Sequence, residues 1–186
     1  MTGQARLAQV ARHMGTKTPS ATAAVAKPPT FRDRSNYKYF LPIQSRWSDN
    51  DNYGHINNSI YYFYIDTVVN EYLIRNCGLD PNDTTKTRPI GLVIASSANF
   101  YAPASYPNLL HAGLSITKIG RSSVTYRVGI FEGDKQEASM VGGFTHVFVD
   151  PIHRRPVSAL PESMKSGMLT LLVEQAADDE GKKAKQ

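Results

Sequence analysis

Asp49, Asp51, His55, Asn57 and Asn58 stand close together in Arg46-Trp-Ser-Asp-Asn-Asp-Asn-Tyr-Gly-His-Ile-Asn-Asn-Ser59, with Gly54 among them. A carboxylate in such a place can attack an electrophilic carbon directly or take a proton from water. A helix that begins near Asn58 leaves its first backbone N–H groups unpaired and aims its positive dipole end at the same loop. That end can polarise a carbonyl while a carboxylate or its water attacks. The segment therefore has the outline of an acyl-transfer site. The competing reading is architectural, because Asp and Asn are also the residues that close turns and cap helices.

The elements on either side would position this loop. From Tyr37 to Trp47, residues Tyr37, Tyr39, Leu41, Ile43 and Trp47 fall on alternate positions and predict a strand. Downstream, Tyr61, Tyr64, Ile65, Val68, Val69, Tyr72 and Leu73 recur at helical spacing, and Gly78 followed by Pro81 supplies a stop. Strands follow at 90–101, 110–117, 124–130 and 140–149, separated by turns at Gly120-Arg121 and Glu132-Gly-Asp134. Pro151 and Pro156 end the series, and 161–168 reads as a short helix. Strand, long helix, then four antiparallel strands predict an α+β fold. Tyr61, Tyr62, Phe63 and Tyr64 put aromatic rings around most of the helix, which predicts a sheet wrapped closely about it. Such a sheet has edges and a second face to cover, and a second copy of the chain is the expected cover.

Composition narrows the function classes. The chain has 186 residues, enough for one domain with tails. No apolar run approaches the roughly 18–20 residues of a membrane span. One cysteine, Cys77, excludes an internal disulfide and a multi-cysteine zinc site, and its place near the helix end suggests packing. The net charge of +5 is unevenly spread. Residues 1–34 carry Arg6, Arg12, Lys17, Lys27, Arg32 and Arg34 against Asp33 alone; taking these from the chain's 21 basic and 16 acidic residues leaves 15 of each. The remainder is neutral with scattered basic groups, which argues against nucleic-acid binding. The leader, rich in Ala, Ser, Thr and Arg, has the composition of a mitochondrial transit peptide, with a basic tail on a cytoplasmic protein as the alternative. The expected divisions are a leader at 1–34, a domain at 35–170 and a polar tail at 171–186.

Five segments carry a family resemblance: Arg46-Trp-Ser-Asp-Asn-Asp through Tyr53-Gly-His-Ile-Asn-Asn58, Tyr64-Ile-Asp-Thr-Val-Val-Asn-Glu-Tyr-Leu73, Asn99-Phe-Tyr-Ala-Pro103, Gly120-Arg-Ser-Ser-Val124, and His146-Val-Phe-Val-Asp150 with Arg154-Arg-Pro156. In this order they resemble the 4-hydroxybenzoyl-CoA thioesterase-like branch of the hotdog-fold superfamily. The resemblance implies a single hotdog domain, a long central helix cradled by a curved antiparallel sheet, assembled as a homodimer or homotetramer with sites at the subunit interface. It implies hydrolysis of acyl-CoA thioesters with no metal and no other cofactor. The family's catalytic carboxylate falls on Asp51, as nucleophile or as general base. The carbonyl-polarising N–H falls on Asn58, with His55 in support. Asp49 is the competing carboxylate, the alternative being that it holds the loop by accepting backbone hydrogen bonds. Tyr61 falls on the pocket wall, and Arg121, Ser122, Ser123 and Arg154 fall where CoA is met.

One position departs from the pattern. Relatives are expected to carry an acid on the second strand where this chain has Ala95. That departure keeps open a second function, a non-catalytic acyl-CoA or acyl-carrier binding module on the same fold. A hydratase is a third, disfavoured because Asp51 and His55 are not set in the Asp-x-Asn-Pro-x-His loop of that branch.

Overall fold

The computed structural model describes residues 31–173. Each periodic segment becomes an element: β1 (Tyr39–Gln44), α1 (Asn58–Cys77), β2 (Ile90–Phe100), β3 (Leu109–Ile119), β4 (Ser123–Glu132), β5 (Met140–Val149) and α2 (Glu162–Leu169), with short 3-10 turns at Arg34–Asn36 and Trp47–Asp49. The strands form one antiparallel sheet in the order β1-β3-β4-β5-β2, so β1 and β2 are its edges. This is the expected α+β architecture, a helix lying on one face of a curved sheet.

Helix α1 presents Tyr61, Tyr64, Ile65, Val68, Val69, Tyr72, Leu73 and Cys77 to the sheet, all buried. They meet the alternate residues Leu110, Ala112, Leu114 and Ile116 of β3 and Val124, Tyr126, Val128 and Ile130 of β4. Full burial of each such aliphatic side chain contributes about 1.5–3 kcal/mol relative to exposure. Burial also pushes the Cys77 thiol up to about 12, consistent with packing and not reactivity. Gly78 ends the helix in the left-handed region, at φ 69°.

The curved sheet takes one face of the helix, and the aromatic rings outside that face stay uncovered: Tyr62 is exposed and Phe63 is 64% exposed. One expectation is corrected here. The alternation from Tyr37 to Trp47 is broken. Tyr39, Leu41 and Ile43 pack on the helix side. Tyr37 instead joins Phe40, Phe131 and Phe31 on the outer face of the sheet, its hydroxyl donating to the Phe31 carbonyl at 2.7 Å. The break lies at the bend of Lys38, between Tyr37 and the first residue of β1. Trp47 lies beyond the strand, in the second turn, 81% exposed.

The ring of Tyr37 is seated over Gly113 and Gly129, where an added Cβ would come within 2.8 Å and 2.7 Å of its atoms. Only glycine allows that approach. Around it, Ser115 Oγ donates to the Asn36 carbonyl and Arg34 donates to the Gly133 carbonyl. At the other end Leu171 is buried and Val173 N–H donates to Ile116. Packing thus extends past both expected domain limits, to residues 31 and 173. The transit segment expected within 1–34 lies, up to residue 30, outside the described residues, as does the tail from residue 174. No helix of the described residues is long and apolar enough to cross a membrane.

His146 of β5 stands on the core face among Tyr126, Phe144 and Phe148, with Nδ1 buried and, among the described residues, without a hydrogen-bond partner. Burial holds its imidazole down at about 4, against an ordinary 6.5. Between those values the unfolded chain takes up a proton that the folded protein refuses. Stability should therefore fall as pH is lowered from about 6.5 to about 4, by roughly 2–4 kcal/mol. Denaturant titrations at graded pH check this, and His146→Leu should flatten that limb.

Candidate functional site

The loop between β1 and α1 is built on Asp49. Its side chain is buried, and its two oxygens accept from the Arg46 N–H at 2.8 Å, the Arg46 Nε at 3.2 Å and the Tyr64 hydroxyl at 2.8 Å. Burial pushes this carboxyl up, but the bonds from Arg46 and Tyr64 outweigh it and hold the group below the ordinary carboxylate value. The stabilisation they give is present above about pH 4 and lost as pH falls through the depressed value. The Asp49 carbonyl also accepts from Asn57 N–H at 2.8 Å, one residue before the helix. Asp49 thus ties the end of the Trp47–Asp49 turn to the start of α1 by its carbonyl and to the second turn of α1 by its carboxylate. Asp49 therefore fits the loop-holding role expected of it.

Asp51 and His55 close the tip of the loop on each other. Asp51 N–H donates to the His55 carbonyl at 2.8 Å, and Asp51 Oδ1 accepts from Tyr53 N–H at 2.8 Å and His55 N–H at 3.3 Å. Gly54 makes this turn at φ 80°, a conformation that costs glycine little. Among the described residues Asp51 Oδ2 accepts no hydrogen bond, and the His55 ring makes none. Asn57 caps the helix, its Oδ1 accepting from Ser59 N–H at 3.0 Å and Ser59 Oγ at 2.8 Å. Asn58, the first helical residue, keeps an N–H with no acceptor among the described residues, as helix geometry requires.

Asp51, His55 and Asn58 line one open recess of about 320 Å³, together with Ile56, Tyr61 and the segment Phe100–Pro103. Tyr61 is at its floor, buried edge-on against Phe100 at 5.3 Å and Tyr64 at 6.2 Å. The opposite wall, Phe100 to Pro103, had no assigned part in the sequence reading beyond belonging to a family segment. Its signal is the proline that ends a strand beside the loop. Backbone bonds join wall to loop: Ile56 N–H donates to Ala104 at 2.8 Å, and Tyr106 N–H to Asn50 Oδ1 at 3.1 Å.

Arg121, Ser122, Ser123 and Arg154 are not brought to this recess. They sit at the other end of the sheet, where Phe148 N–H donates to Ser122 and Leu160 N–H to Arg121. β4 starts there at Ser123 and reaches the loop end at Glu132, so within one chain the two groups are separated by about 30 Å of strand. Ala95 pairs with Thr145, on the face of the sheet away from α1, and does not line the recess. An acid at this position would not reach Asp51 of its own chain. Among the described residues no cluster of acidic, His or Cys side chains could hold a metal ion.

Comparison with known proteins agrees with this architecture. Residues 53–139 match the Thioesterase superfamily. The crystal structure of the PA5185 protein from Pseudomonas aeruginosa aligns with a TM-score of 0.72 at 39% identity, covering 82% of this chain and all of that one. More distant are a Thermus thermophilus thioesterase complexed with coenzyme A and Zn, at 20% identity and TM-score 0.60, covering 73% of this chain and 95% of that one, and a 1,4-dihydroxy-2-naphthoyl-CoA thioesterase from Synechocystis, at 17% and 0.64, covering 72% and 96%. These last two share the fold. No curated protein matches the chain.

The Asp49–Tyr64 bond generates a stability test. Asp49→Asn should cost about 1–3 kcal/mol and Tyr64→Phe about 1 kcal/mol in urea denaturation. Because the two share one bond, the double variant should lose less than the sum. Strict additivity would mean that the hydroxyl does not hold the carboxylate.

Proposed function

The chain belongs to the thioesterase superfamily, and on that premise we propose that it hydrolyses acyl-CoA thioesters in the recess between Asp51 and the start of α1. The observation that carries the reading is that, among the described residues, a carboxylate with one unengaged oxygen and an unpaired helix-start N–H line the same recess. The thioester carbonyl accepts from Asn58 N–H, which with the helix dipole stabilises negative charge on that oxygen as the tetrahedral intermediate forms. Asp51 Oδ1 is held by the loop N–H groups, so Oδ2 is the reactive oxygen. It either attacks the carbonyl carbon, giving an anhydride that water then cleaves, or takes a proton from a water that attacks. In both routes the C–S bond breaks and the sulfur leaves as thiolate, to be protonated by solvent. His55 supports the loop through its backbone.

The resemblance to the 4-hydroxybenzoyl-CoA branch supports CoA as the carrier. The basic end of the sheet supports it further, provided two copies cooperate. β2 is an edge strand of 11 residues with Leu92, Val93 and Ile94 exposed. Such an edge is a template for pairing. Antiparallel pairing of two β2 edges sets the beginning of one beside the end of the other. The turn carrying Arg121 and the loop carrying Arg154 in the second copy then approach this chain's recess, within reach of CoA phosphates. The acid-poor, basic composition of residues 1–34 supports a mitochondrial location.

Asp51→Asn should fold and assemble normally yet lose about 10²–10⁴-fold in thiol release from a series of acyl-CoA esters. Unchanged turnover would remove Asp51 from the mechanism. Light scattering should show at least a dimer at micromolar concentration, with an interface of about 1,000 Å² or more. An active monomer would defeat the shared-site reading.

A further inference from the structure

We propose that Arg32 is a positioning residue for the acyl recess, bracing the Tyr101–Pro103 wall from outside and thereby shaping which acyl groups fit. The inference rests on reading the recess as the thioester site, and it concerns a residue that the sequence assigned to the leader. Arg32 touches the wall by two routes. Its guanidinium lies over the Tyr101 ring, 4.6 Å from the centroid, and its outer end pairs with Glu137 at 2.5 Å. Among the described residues Arg32 Nε is buried with no hydrogen-bond acceptor, and the negative face of the Tyr101 ring gives the guanidinium a partner. Along the backbone, the Arg32 carbonyl accepts from Ala138 N–H at 2.7 Å. The next residue, Ser139, offers its carbonyl to both Tyr101 N–H at 2.8 Å and Ala102 N–H at 3.1 Å.

Those two N–H groups belong to residues lining the recess. Tyr101 follows the last residue of β2, where the strand ladder no longer restrains the chain. Ser139 holds this stretch by its backbone and Arg32 holds it by its side chain. Downstream, the Ala104 carbonyl receives Ile56 N–H at 2.8 Å, so a shift of the wall bears on the loop that carries Asn57 and Asn58. Displacement of the wall would be felt by acyl groups long enough to touch it and not by the smallest. Loss of the brace therefore alters selectivity more than intrinsic rate.

The test uses the full chain, with kcat and KM measured on CoA esters from acetyl to benzoyl and decanoyl. In parallel, binding of the matching non-hydrolysable CoA thioethers is measured by calorimetry. Arg32→Ala should raise KM for the larger acyl groups by about two- to fivefold, the range of one exposed cation–π contact, while kcat on acetyl-CoA changes less than about twofold. Tyr101→Leu should give the same skew, Tyr101→Phe should not, Arg32→Lys should recover part of it, and Arg32→Ala with Tyr101→Leu should add little to either alone. An unchanged profile in Arg32→Ala overturns the proposal, as does an equal loss on every substrate accompanied by a lower melting temperature. A wild type that binds the thioethers without turning over the esters defeats the hydrolase reading alone, and the skew is then read in binding. A wild type that binds none of them defeats both.

Discussion

A buried carboxylate without partners would cost more than this fold has to spare, and that constraint organises the end of the protein that carries the candidate site. Asp49 is carried inside by the 3-10 turn after β1 and must be met there. Arg46 meets it from its own turn and Tyr64 from the second turn of α1. Satisfying one charge therefore fixes the distance between the turn and the helix. Both ends of the stretch between them, Asn50 to Asn57, are held by these contacts. The tip is then closed by Asp51, His55 and the Asn50 side chain, with Asp51 Oδ2 left without a hydrogen bond among the described residues.

The helix contributes in two ways that pull in different directions. Its apolar face needs the sheet, and that need fixes its axis across β3 and β4. Its first turn needs to stay open, because a filled N-terminus has no N–H to offer a substrate. Asn57 reconciles the two by capping Ser59 while leaving Asn58 unpaired. The cap thus engages the Ser59 N–H and leaves that of Asn58 without an acceptor among the described residues.

Periodicity made most of the fold legible. Alternation in β3, β4 and β5 and the helical spacing from Tyr61 to Leu73 mark elements whose one face is buried, and burial of one face is what periodic patterns record. The misreadings have the same physical origin. Tyr37 keeps the alternating phase of Tyr39 and Leu41 but lies across the bend at Lys38, on the other side of the sheet, which a pattern of residue types does not encode. Tyr62 and Phe63 are aromatic without being covered by their own sheet, since hydrophobicity says that a surface needs a partner and not which one. At the site, Asp51, His55 and Asn58 were legible because they are neighbours in sequence. The Phe100–Pro103 wall was not, because backbone bonds from Ser139 bring it there and any residue type can make them.

The seat of Tyr37 on Gly113 and Gly129 has a consequence for the order in which the chain is made. Residues 31–37 are among the first described residues to be synthesised, yet their seat consists of the paired strands β3 and β4, completed only near residue 132. Until then the aromatic side chains of Phe31 and Tyr37 have nowhere to go. Contacts of such long sequence separation form late, since the intervening chain must be ordered first. The segment is therefore made early and used late. A growing chain must carry it exposed for most of its synthesis, and the basic residues interleaved with its rings, Arg32 and Arg34, help to keep that stretch in water meanwhile.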